Sequence, residues 1–503
     1  MDVIQNLILG FGVALQPSSL AMCFVGVLLG TLVGVLPGLG PVAAMSLLLP
    51  VTYNVSPVNA IIMLSGIYYG SMYGGSTTSI LLNIPGEAAS VVTCLDGYQM
   101  ARQGRAGPAL GISAIGSFIG GTISLIGLML MAPPLAEMAL KFGPPEMFSL
   151  MILGLILLTF LAGDSMPKAL CMAAFGIFLG NIGSDTISGM ERFTFGNPIL
   201  IDGVGLAPVA MGLFGISEVL LNLEIVLNQD VFKTALKGLL PGVKDLKDSF
   251  WPIMRASVIG FFLGILPGGG GVLASFTSYA VEKRLSDHPE EFGRGAIEGV
   301  AGPETANNAG AGGAFIPLLT LGLPSNAVMA ILLGTMLIHG MQPGPMLIKQ
   351  HPDVFWGAVT SMYIGNAMLL VLNLPLIGLW VKILKIPYRF LFPLILFFCL
   401  VGAYSLNNNT GEMVIMLVFG VVGYFLRKFK YPLAPVILAM VLGPMLEASL
   451  RRSLLMSSGS GMIFLTQPIS LAMILISVVL LIFSAMPATK KTRGELALAG
   501  DED

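Results

Sequence analysis

One Gly- and Pro-rich segment occurs twice in the chain, as GTLVGVLPGLG at residues 30–40 and as GFFLGILPGGG at residues 260–270. Each copy lies about half a span into an apolar stretch, and another half-span follows it. Backbone that leaves a helix at that depth has unpaired N–H and C=O groups, which are tolerated only where they line a cavity or are buried in protein. The pattern therefore predicts helices that break near the middle of a membrane.

Three further matches keep the same order at offsets of about 225 to 245 residues. They pair IPGEA (84–88) with LPSNA (323–327), DGYQ (96–99) with HGMQ (339–342), and the segment from Ala207 to Glu218 with that from Ala434 to Glu447. The order predicts two transmembrane repeats, 18–225 and 251–450. The remaining predicted segments are an N-terminal apolar helix (1–17), a basic cytoplasmic linker (226–250), a C-terminal transmembrane helix (451–487) and a disordered cytoplasmic tail (488–503).

Composition places the chain in lipid. Of 503 residues, 55% are hydrophobic and 10% are charged, and mean hydropathy is +0.88, whereas soluble domains carry about a quarter charged residues. We expect an all-α polytopic membrane protein with roughly 10–12 transmembrane segments. Three tryptophans near predicted span ends (Trp251, Trp356 and Trp380) fit an interfacial belt.

Several function classes find no support in the sequence. The net charge of −2 gives no basic field for nucleic acid. A P-loop and an H-E-x-x-H motif are both absent, which argues against ATP hydrolysis and against a zinc enzyme. We therefore predict that the chain is not an enzyme and needs no cofactor beyond a coupling ion, Na⁺ or H⁺.

Basic residues predict that the two repeats have opposite orientations. Five lie in or beside the linker, and others cluster near Lys382 and Arg427, which marks these loops as cytoplasmic. The first-half positions that match the last two loops, about 141–145 and 183–204, hold only Lys141 and Arg192. Inverted repeats are the build of many secondary carriers.

The repeated turns are candidate binding elements. Free amides at half-helix N-termini attract anions, and free carbonyls at C-termini coordinate Na⁺. We therefore predict that these glycines bind substrate, with carbonyls of the Gly38 and Gly268 turns as candidate Na⁺ ligands: Gly38, Gly40, Gly268, Gly269 and Gly270. The glycines spaced four residues apart before each turn are instead read as a packing stripe: Gly26, Gly30, Gly34, Gly260 and Gly264.

A second pair of Pro-containing breaks carries polar groups. Neutral donors can bind several carboxylates without leaving a buried charge when the site is empty. The predicted substrate-binding residues here are Ser76, Thr77, Thr78, Asn83, Gly86, Asn307, Asn308, Ser325 and Asn326. Any single hydroxyl can equally bond its own helix. Glu87 and Glu304 are coupling-ion candidates, since intramembrane acids are costly unless used; the alternative is a wet interfacial position.

These same motifs resemble the large membrane permease subunit, TctA, of the tripartite tricarboxylate transporter (Tct) family. The resemblance rests on YGGS (73–76), NIPGE (83–87), DGY (96–98), GPETANN (302–308) and the two turns, and it extends from about 18 to 480. It implies a multi-pass permease of the bacterial inner membrane. It also implies two partners, a small four-helix membrane subunit and a periplasmic substrate-binding protein, with citrate or other small carboxylates as substrates.

Together, the residues and the resemblance predict a secondary transporter that imports small organic anions by cation-coupled alternating access. A membrane channel for organic anions is the alternative, but inverted repeats with two broken hairpins fit a carrier better. An intramembrane enzyme lacks a visible nucleophile–base pair or metal cluster, and a purely structural scaffold does not explain the buried polar cluster.

Overall fold

A computed structural model describes residues 3–36, 40–161, 165–185, 187–224, 240–268, 270–383 and 388–485. Within these ranges the regular secondary structure is helical apart from one short hairpin, in which β1 (Gly183–Ser184) pairs antiparallel with β2 (Glu191–Arg192). The prediction of an all-α polytopic fold is confirmed. Gly38, Gly269, most of the linker and the tail lie outside the described residues.

The first half contains eleven described α-helices. In chain order they are α1 (Val3–Ala14), α2 (Pro17–Gly34), α3 (Pro41–Leu48), α4 (Pro57–Leu82), α5 (Val91–Thr93), α6 (Gln99–Arg102), α7 (Ala106–Ala139), α8 (Pro144–Leu161), α9 (Met166–Gly180), α10 (Leu206–Ala210) and α11 (Ser217–Glu224). Two π-helical turns, Cys94–Tyr98 and Met211–Ile216, lie between helices of this half. Short 3₁₀ turns occupy Leu49–Thr52, Ala88–Ser90 and Pro198–Leu200.

The second half contains thirteen described α-helices and a 3₁₀ turn at Pro289–Glu291. They are α12 (Val243–Ile265), α13 (Gly270–Leu285), α14 (Glu298–Gly313), α15 (Phe315–Leu321), α16 (Ala327–Ile338), α17 (Pro345–Gln350), α18 (Pro352–Asn373), α19 (Ile377–Ile383), α20 (Tyr388–Asn407), α21 (Thr410–Lys428), α22 (Ala434–Met456), α23 (Ile463–Thr466) and α24 (Pro468–Ala485).

Six helical segments in the described residues are long and apolar enough to cross a membrane. They are Pro17–Gly34, Ala106–Ala139, Leu206–Glu224, Pro352–Asn373, Thr410–Lys428 and Ala434–Met456. Shorter apolar helices lie between them, as expected where spans are broken. Together they define a multi-pass membrane protein.

Two central helices, α4 and α14, are enclosed by protein on every side. Every residue of α4 from Ala60 to Leu81 is buried, and so is every residue of α14 from Gly299 to Gly313. Both are too rich in Gly, Ser, Thr or Asn to face lipid, and enclosure explains how they persist in the membrane. They carry most of the polar residues predicted for the site.

Glycines let a neighbouring helix approach each central helix closely. In the first half, a β-carbon on Gly30 or Gly34 of α2 would collide with the α4 backbone, at Ile67 or Ser71. In the second half, a β-carbon on Gly260 or Gly264 of α12 would collide with the α14 backbone, at Ala306 or Gly310. The reading of these glycines as a packing stripe is confirmed. The assignment of two inverted repeats remains a prediction.

The outer helices pack across the two halves. Gly176 on α9 lies against the α22 backbone at Val436, and Gly180 lies against it at Met440. On the other side, α21 packs on the Met211–Ile216 turn and α11. Each half therefore contributes a helix that supports the final helices of the other half.

Candidate functional site

A central cavity of about 480 Å³ lies between the two halves. Six residues predicted from the sequence lie on its wall: Gly40, Gly86, Glu87, Gly268, Gly270 and Asn326. Three helices begin at this wall, since Pro41 starts α3, Gly270 starts α13 and Ala327 starts α16. Helix N-termini present free amides and a partial positive charge, which favours an anionic ligand.

The two breaks at the cavity have the same construction. The C-cap residue of α4, Asn83, is in the left-handed conformation (φ 59°), and so is the C-cap residue of α15, Gly322 (φ 71°). Four residues later, Glu87 and Asn326 are both extended and both precede a new helical segment. The left-handed C-cap reverses the chain, so the second residue after the Pro can face the cavity.

Glu87 is bonded across the two halves. Its Oε1 accepts a hydrogen bond from Asn307 Nδ2 on α14, at 2.6 Å. The Oδ1 atom of Asn307 is buried without a hydrogen-bond partner among the described residues, and a β-carbon on Gly271 would collide with it. Since buried carbonyl oxygens are normally paired, this orphaned acceptor beside the cavity wall is a candidate contact for a ligand or a water.

Asn326 holds the matching position in the second half. Its Oδ1 accepts from Met329 N at 2.9 Å and so caps α16. Its Nδ2 points to Tyr68 Oη at 3.5 Å, at the limit of a hydrogen bond, and Tyr68 also lines the cavity. A cap oxygen fixes the side chain and leaves the amide donor directed at the cavity wall.

The second turn is tied to the second break. Gly268 N donates to Ser325 O at 2.7 Å, and Ser325 Oγ donates to Ala314 O at 3.3 Å. In the first half, Gly86 lies so close to Gly75 that a β-carbon on it would collide with the Gly75 backbone. Ser325 and Gly86 thus support the wall of the cavity.

Glu304 lies away from the central cavity, in a cluster of its own. It is 1% exposed, and its carboxylate accepts hydrogen bonds from Ser76 Oγ, Thr93 Oγ1 and Ser113 Oγ, the last at 3.1 Å. We call these four residues the Glu304 cluster. No basic side chain within the described residues pairs with this carboxylate. Neutral donors on three helices of the first half (α4, α5 and α7) therefore hydrogen-bond to one acid of the second half.

The other predicted residues divide between this cluster and backbone roles. Asn308 Nδ2 donates to Ser117 Oγ at 2.7 Å, next to the cluster. Thr77 is buried within α4, and Thr78 Oγ1 donates to Gly75 O of its own helix at 2.8 Å. Asn83 is exposed and does not line the central cavity. Asn83 is the C-cap of α4, a position whose left-handed conformation asparagine adopts more readily than most residues.

Asp96 belongs to the DGY motif, which supports the repeat and the family resemblance, but the sequence did not predict a role for its carboxylate. Its buried carboxylate accepts from the backbone nitrogens of Gly293, Gly295 and Ala296 at 2.8 to 2.9 Å. It also accepts from Tyr279 Oη at 2.9 Å. Four donors satisfy this carboxylate completely, so it joins the first half to a loop of the second. The signal available in the sequence was an acid within the apolar stretch 91–100.

An ion pair between Arg427 and Glu218 lies on the wall of the central cavity, near the end of α21 that the predicted topology places at the cytoplasmic face. At the other membrane face, by the predicted topology, Asp185, Arg192, Glu447 and Arg451 form a ring of ion pairs with distances of 2.8 to 3.1 Å. We call this the external ring. Hydrogen bonds from Ser188 and from Arg451 hold the pKa of Asp185 well below its usual range.

The fold and the cavity define a polytopic α-helical membrane protein with a pocket lined by residues of both halves. The model of the "Tripartite tricarboxylate transporter TctA family" matches residues 20–438. The chain therefore belongs to this family, and it is a component of a tripartite tricarboxylate transporter.

Two relatives from Agrobacterium vitis are 50% identical to this chain. One is described as an uncharacterized 52.8 kDa protein in the TAR-I ttuC' 3' region, aligned over 501 residues that cover 100% of both chains. The other is described as an uncharacterized protein in the TAR-II ttuC' 3' region, aligned over 242 residues, 48% of this chain and 100% of the relative. No solved structure matches the chain.

Proposed function

We propose that the chain is the permease that imports small organic anions, tri- or dicarboxylates such as citrate, by cation-coupled alternating access in a bacterial inner membrane. The observation that carries the proposal is the central cavity, whose wall is formed by broken-helix ends from both halves. The two partners are a small four-helix membrane subunit and a periplasmic binding protein that delivers substrate.

Neutral donors and helix ends suit an anion with several carboxylates. Asn326 Nδ2 and Tyr68 Oη supply donors on one side, and the N-termini of α3, α13 and α16 supply free amides. Among the described residues on this wall, the acids are Glu87 and Glu218, and Glu218 is paired with Arg427. A cation bound at Glu87 offsets its charge and lets a carboxylate approach it.

The Glu304 cluster supports a second place for the coupling ion. A carboxylate and three hydroxyls offer only hard oxygen ligands, which suit Na⁺, and the same carboxyl group can take up a proton. A buried carboxylate without a cation is costly, so uptake of Na⁺ or H⁺ there relieves a penalty. Gly268 N is already bonded to Ser325, which leaves the carbonyls of that turn as candidate Na⁺ ligands.

The cavity supports an inward-facing state. Arg427 lies at the end of α21 beside Lys428 and Lys430, which the positive-inside rule places at the cytoplasmic face. Arg427 lines the central cavity, whereas the ion pairs of the external ring join the loop after α9 to α22. Alternating access then requires a second state in which the external end opens.

Radiolabelled citrate uptake tests the proposal. The chain is reconstituted in proteoliposomes with its two expected partner subunits, with and without an inward Na⁺ or H⁺ gradient. Saturable accumulation that depends on one gradient supports the carrier, and citrate flux that does not saturate and needs no gradient supports a channel. Folded protein that moves no citrate under either gradient contradicts the proposed substrate.

A further inference from the structure

Two ion pairs occupy matched positions in the two halves. Glu218 and Glu447 end the matched segments that begin at Ala207 and Ala434. Glu218 pairs with Arg427, which lies at the end of a second-half helix, and Glu447 pairs with Arg192, which follows a first-half helix. Each glutamate therefore binds an arginine of the opposite half, and the two pairs lie at opposite membrane faces by the predicted topology.

The first pair is part of the central cavity. Arg427 and Glu218 line the same cavity as Glu87 and Asn326, and Arg427 is the one basic side chain among the described residues that do so. Glu218 also accepts from Asn222 Nδ2 on its own helix, at 3.0 Å. This glutamate therefore keeps a partner when Arg427 turns away from it.

The second pair has two hydrogen bonds and belongs to a larger set of ion pairs. Arg192 Nη1 contacts both carboxylate oxygens of Glu447 at 2.9 Å, and Asp185 and Arg451 complete the external ring. A small cavity of about 50 Å³ is lined by these four residues. By the predicted topology, these four residues lie at the external face, whereas Arg427 and Glu218 line the central cavity at the cytoplasmic face.

From this arrangement we infer that Arg427 and Arg192 are transient binding residues for a substrate carboxylate, one at each mouth of the transport path. In each mouth the carboxylate displaces the glutamate from its arginine. The exchange replaces one charge-assisted pair by another of the same chemistry, so the substrate is attracted to the mouth but is not trapped there. Without the glutamate, the arginine holds the substrate more tightly and releases it more slowly.

This inference rests on the proposed function. It is tested by substitutions of Arg427 and of Glu218, which are expected to have opposite effects on citrate binding. Radiolabelled citrate binding is measured on the purified full-length chain in nanodiscs. Arg427→Gln is expected to weaken binding by about tenfold, equivalent to about 1.4 kcal/mol, and Arg427→Lys to weaken it less because it keeps the charge. Glu218→Gln is expected to tighten binding and, in proteoliposomes, to lower both KM and the maximal rate of citrate release from the cytoplasmic side.

Neighbouring residues supply a matched control. Lys428 and Glu224 pair at 2.8 Å between the same two helices, one position beyond Arg427, and neither lines the central cavity. Lys428→Gln and Glu224→Gln are expected to leave citrate binding unchanged. If Arg427→Gln and Glu218→Gln both weaken binding and lower thermal stability alike, the pair is structural and the inference is wrong.

Sidedness gives a second test. In right-side-out vesicles, Arg192→Gln is expected to raise the external KM for citrate uptake about tenfold, whereas Arg427→Gln leaves that external KM near the wild-type value. Equal effects of both variants on the external KM contradict the inference. A wild-type chain that neither binds nor transports citrate contradicts the proposed function itself, so the two failures are distinct.

Discussion

Glu87 and Asn307 meet across the two halves of the protein, with Oε1 of the first 2.6 Å from Nδ2 of the second. The pair of Asn326 and Tyr68 mirrors it. Asn326 follows Glu87 by 239 positions, and Asn307 follows Tyr68 by the same 239. In both pairs the residue that starts a helix after a break reaches the central helix of the other half. The cavity is therefore built from two copies of one contact, of which only one carries an acid.

Substitutions of Asn326 distinguish its role as the cap of α16 from its proposed role in binding substrate. Asn326→Ser keeps an oxygen that can cap α16 but removes the amide donor, so we expect normal folding and strongly reduced citrate uptake. Asn326→Ala also loses the cap, at a cost of about 1 kcal/mol in the free energy of unfolding. Uptake in proteoliposomes and thermal unfolding in detergent are the measurements. Equal uptake by Asn326→Ser and the wild type contradicts the assignment of this amide.

Asn83 is the matched control for that series. It is exposed and left-handed (φ 59°), and glycine adopts this conformation freely. Asn83→Gly is expected to keep both stability and uptake, whereas Asn83→Leu is expected to lower stability by roughly 1–2 kcal/mol because of the strained backbone. Loss of uptake in a stable Asn83→Gly variant contradicts this expectation and supports the prediction that Asn83 binds substrate.

Glu304→Gln removes the charge, keeps one acceptor oxygen, and replaces the other oxygen by an amide group that donates to hydroxyl oxygens of the cluster. We expect a folded protein that binds citrate but no longer accumulates it in response to the cation gradient. Glu304→Leu leaves hydroxyls of the Glu304 cluster unpaired and is expected to unfold more easily, by roughly 1–3 kcal/mol for each unsatisfied group. Uptake by Glu304→Gln that remains fully gradient-dependent assigns coupling elsewhere, with Glu87→Gln as the next variant.

Gly30 and Gly264 set the spacing of the helices around the central pair. Gly30→Ala and Gly264→Ala place a methyl group against backbone that cannot move aside, so both are expected to lower the unfolding temperature clearly. Gly12 on α1 and Gly154 on α8 have open space at the same position. Gly12→Ala and Gly154→Ala are expected to be neutral or slightly stabilising, and similar losses in all four variants contradict the packing stripe.

Asp96 is expected to hold the loop that contains Gly293 and Gly295. Asp96→Ala removes the acceptor of four hydrogen bonds and leaves three backbone amides unpaired. Faster tryptic cleavage at Arg294 is the expected result, measured on the purified protein. Glu290→Gln, an exposed change in the same loop, serves as the control and is expected to leave the cleavage rate unchanged.

Local rules predicted much of the fold from the sequence. The four-residue glycine spacing and the Pro-containing breaks act within a few residues, so the packing stripes and the helix ends follow from them. The positions of side chains relative to residues far away in the sequence did not follow from these local rules. Glu304 and Glu87 were interpreted together, but one lies in a cluster of hydroxyls and the other on the cavity wall, because their partners come from elements far apart in sequence.

The sequence also did not predict which aromatic side chains neighbouring helices would bury. Trp356 and Trp380 were expected at the membrane interface, yet both are buried, and Trp380 Nε1 donates to Leu372 O at 2.9 Å. Trp251 is exposed and keeps the expected kind of position. Proximity to a span end indicates an interface only where no other helix covers the ring, and single-sequence patterns do not contain that information.

Protection of a cavity cysteine by citrate tests the central claim most directly. Ala88 lines the central cavity and is exposed, and Ala88→Cys is placed in a background without Cys94 and Cys171, the native cysteines that are not buried. Ser460→Cys, in an exposed loop, is the control. We predict that citrate slows thiol labelling of Ala88→Cys and leaves that of Ser460→Cys unchanged. Equal labelling of Ala88→Cys with and without citrate, in protein that transports citrate, contradicts the placement of the substrate in this cavity.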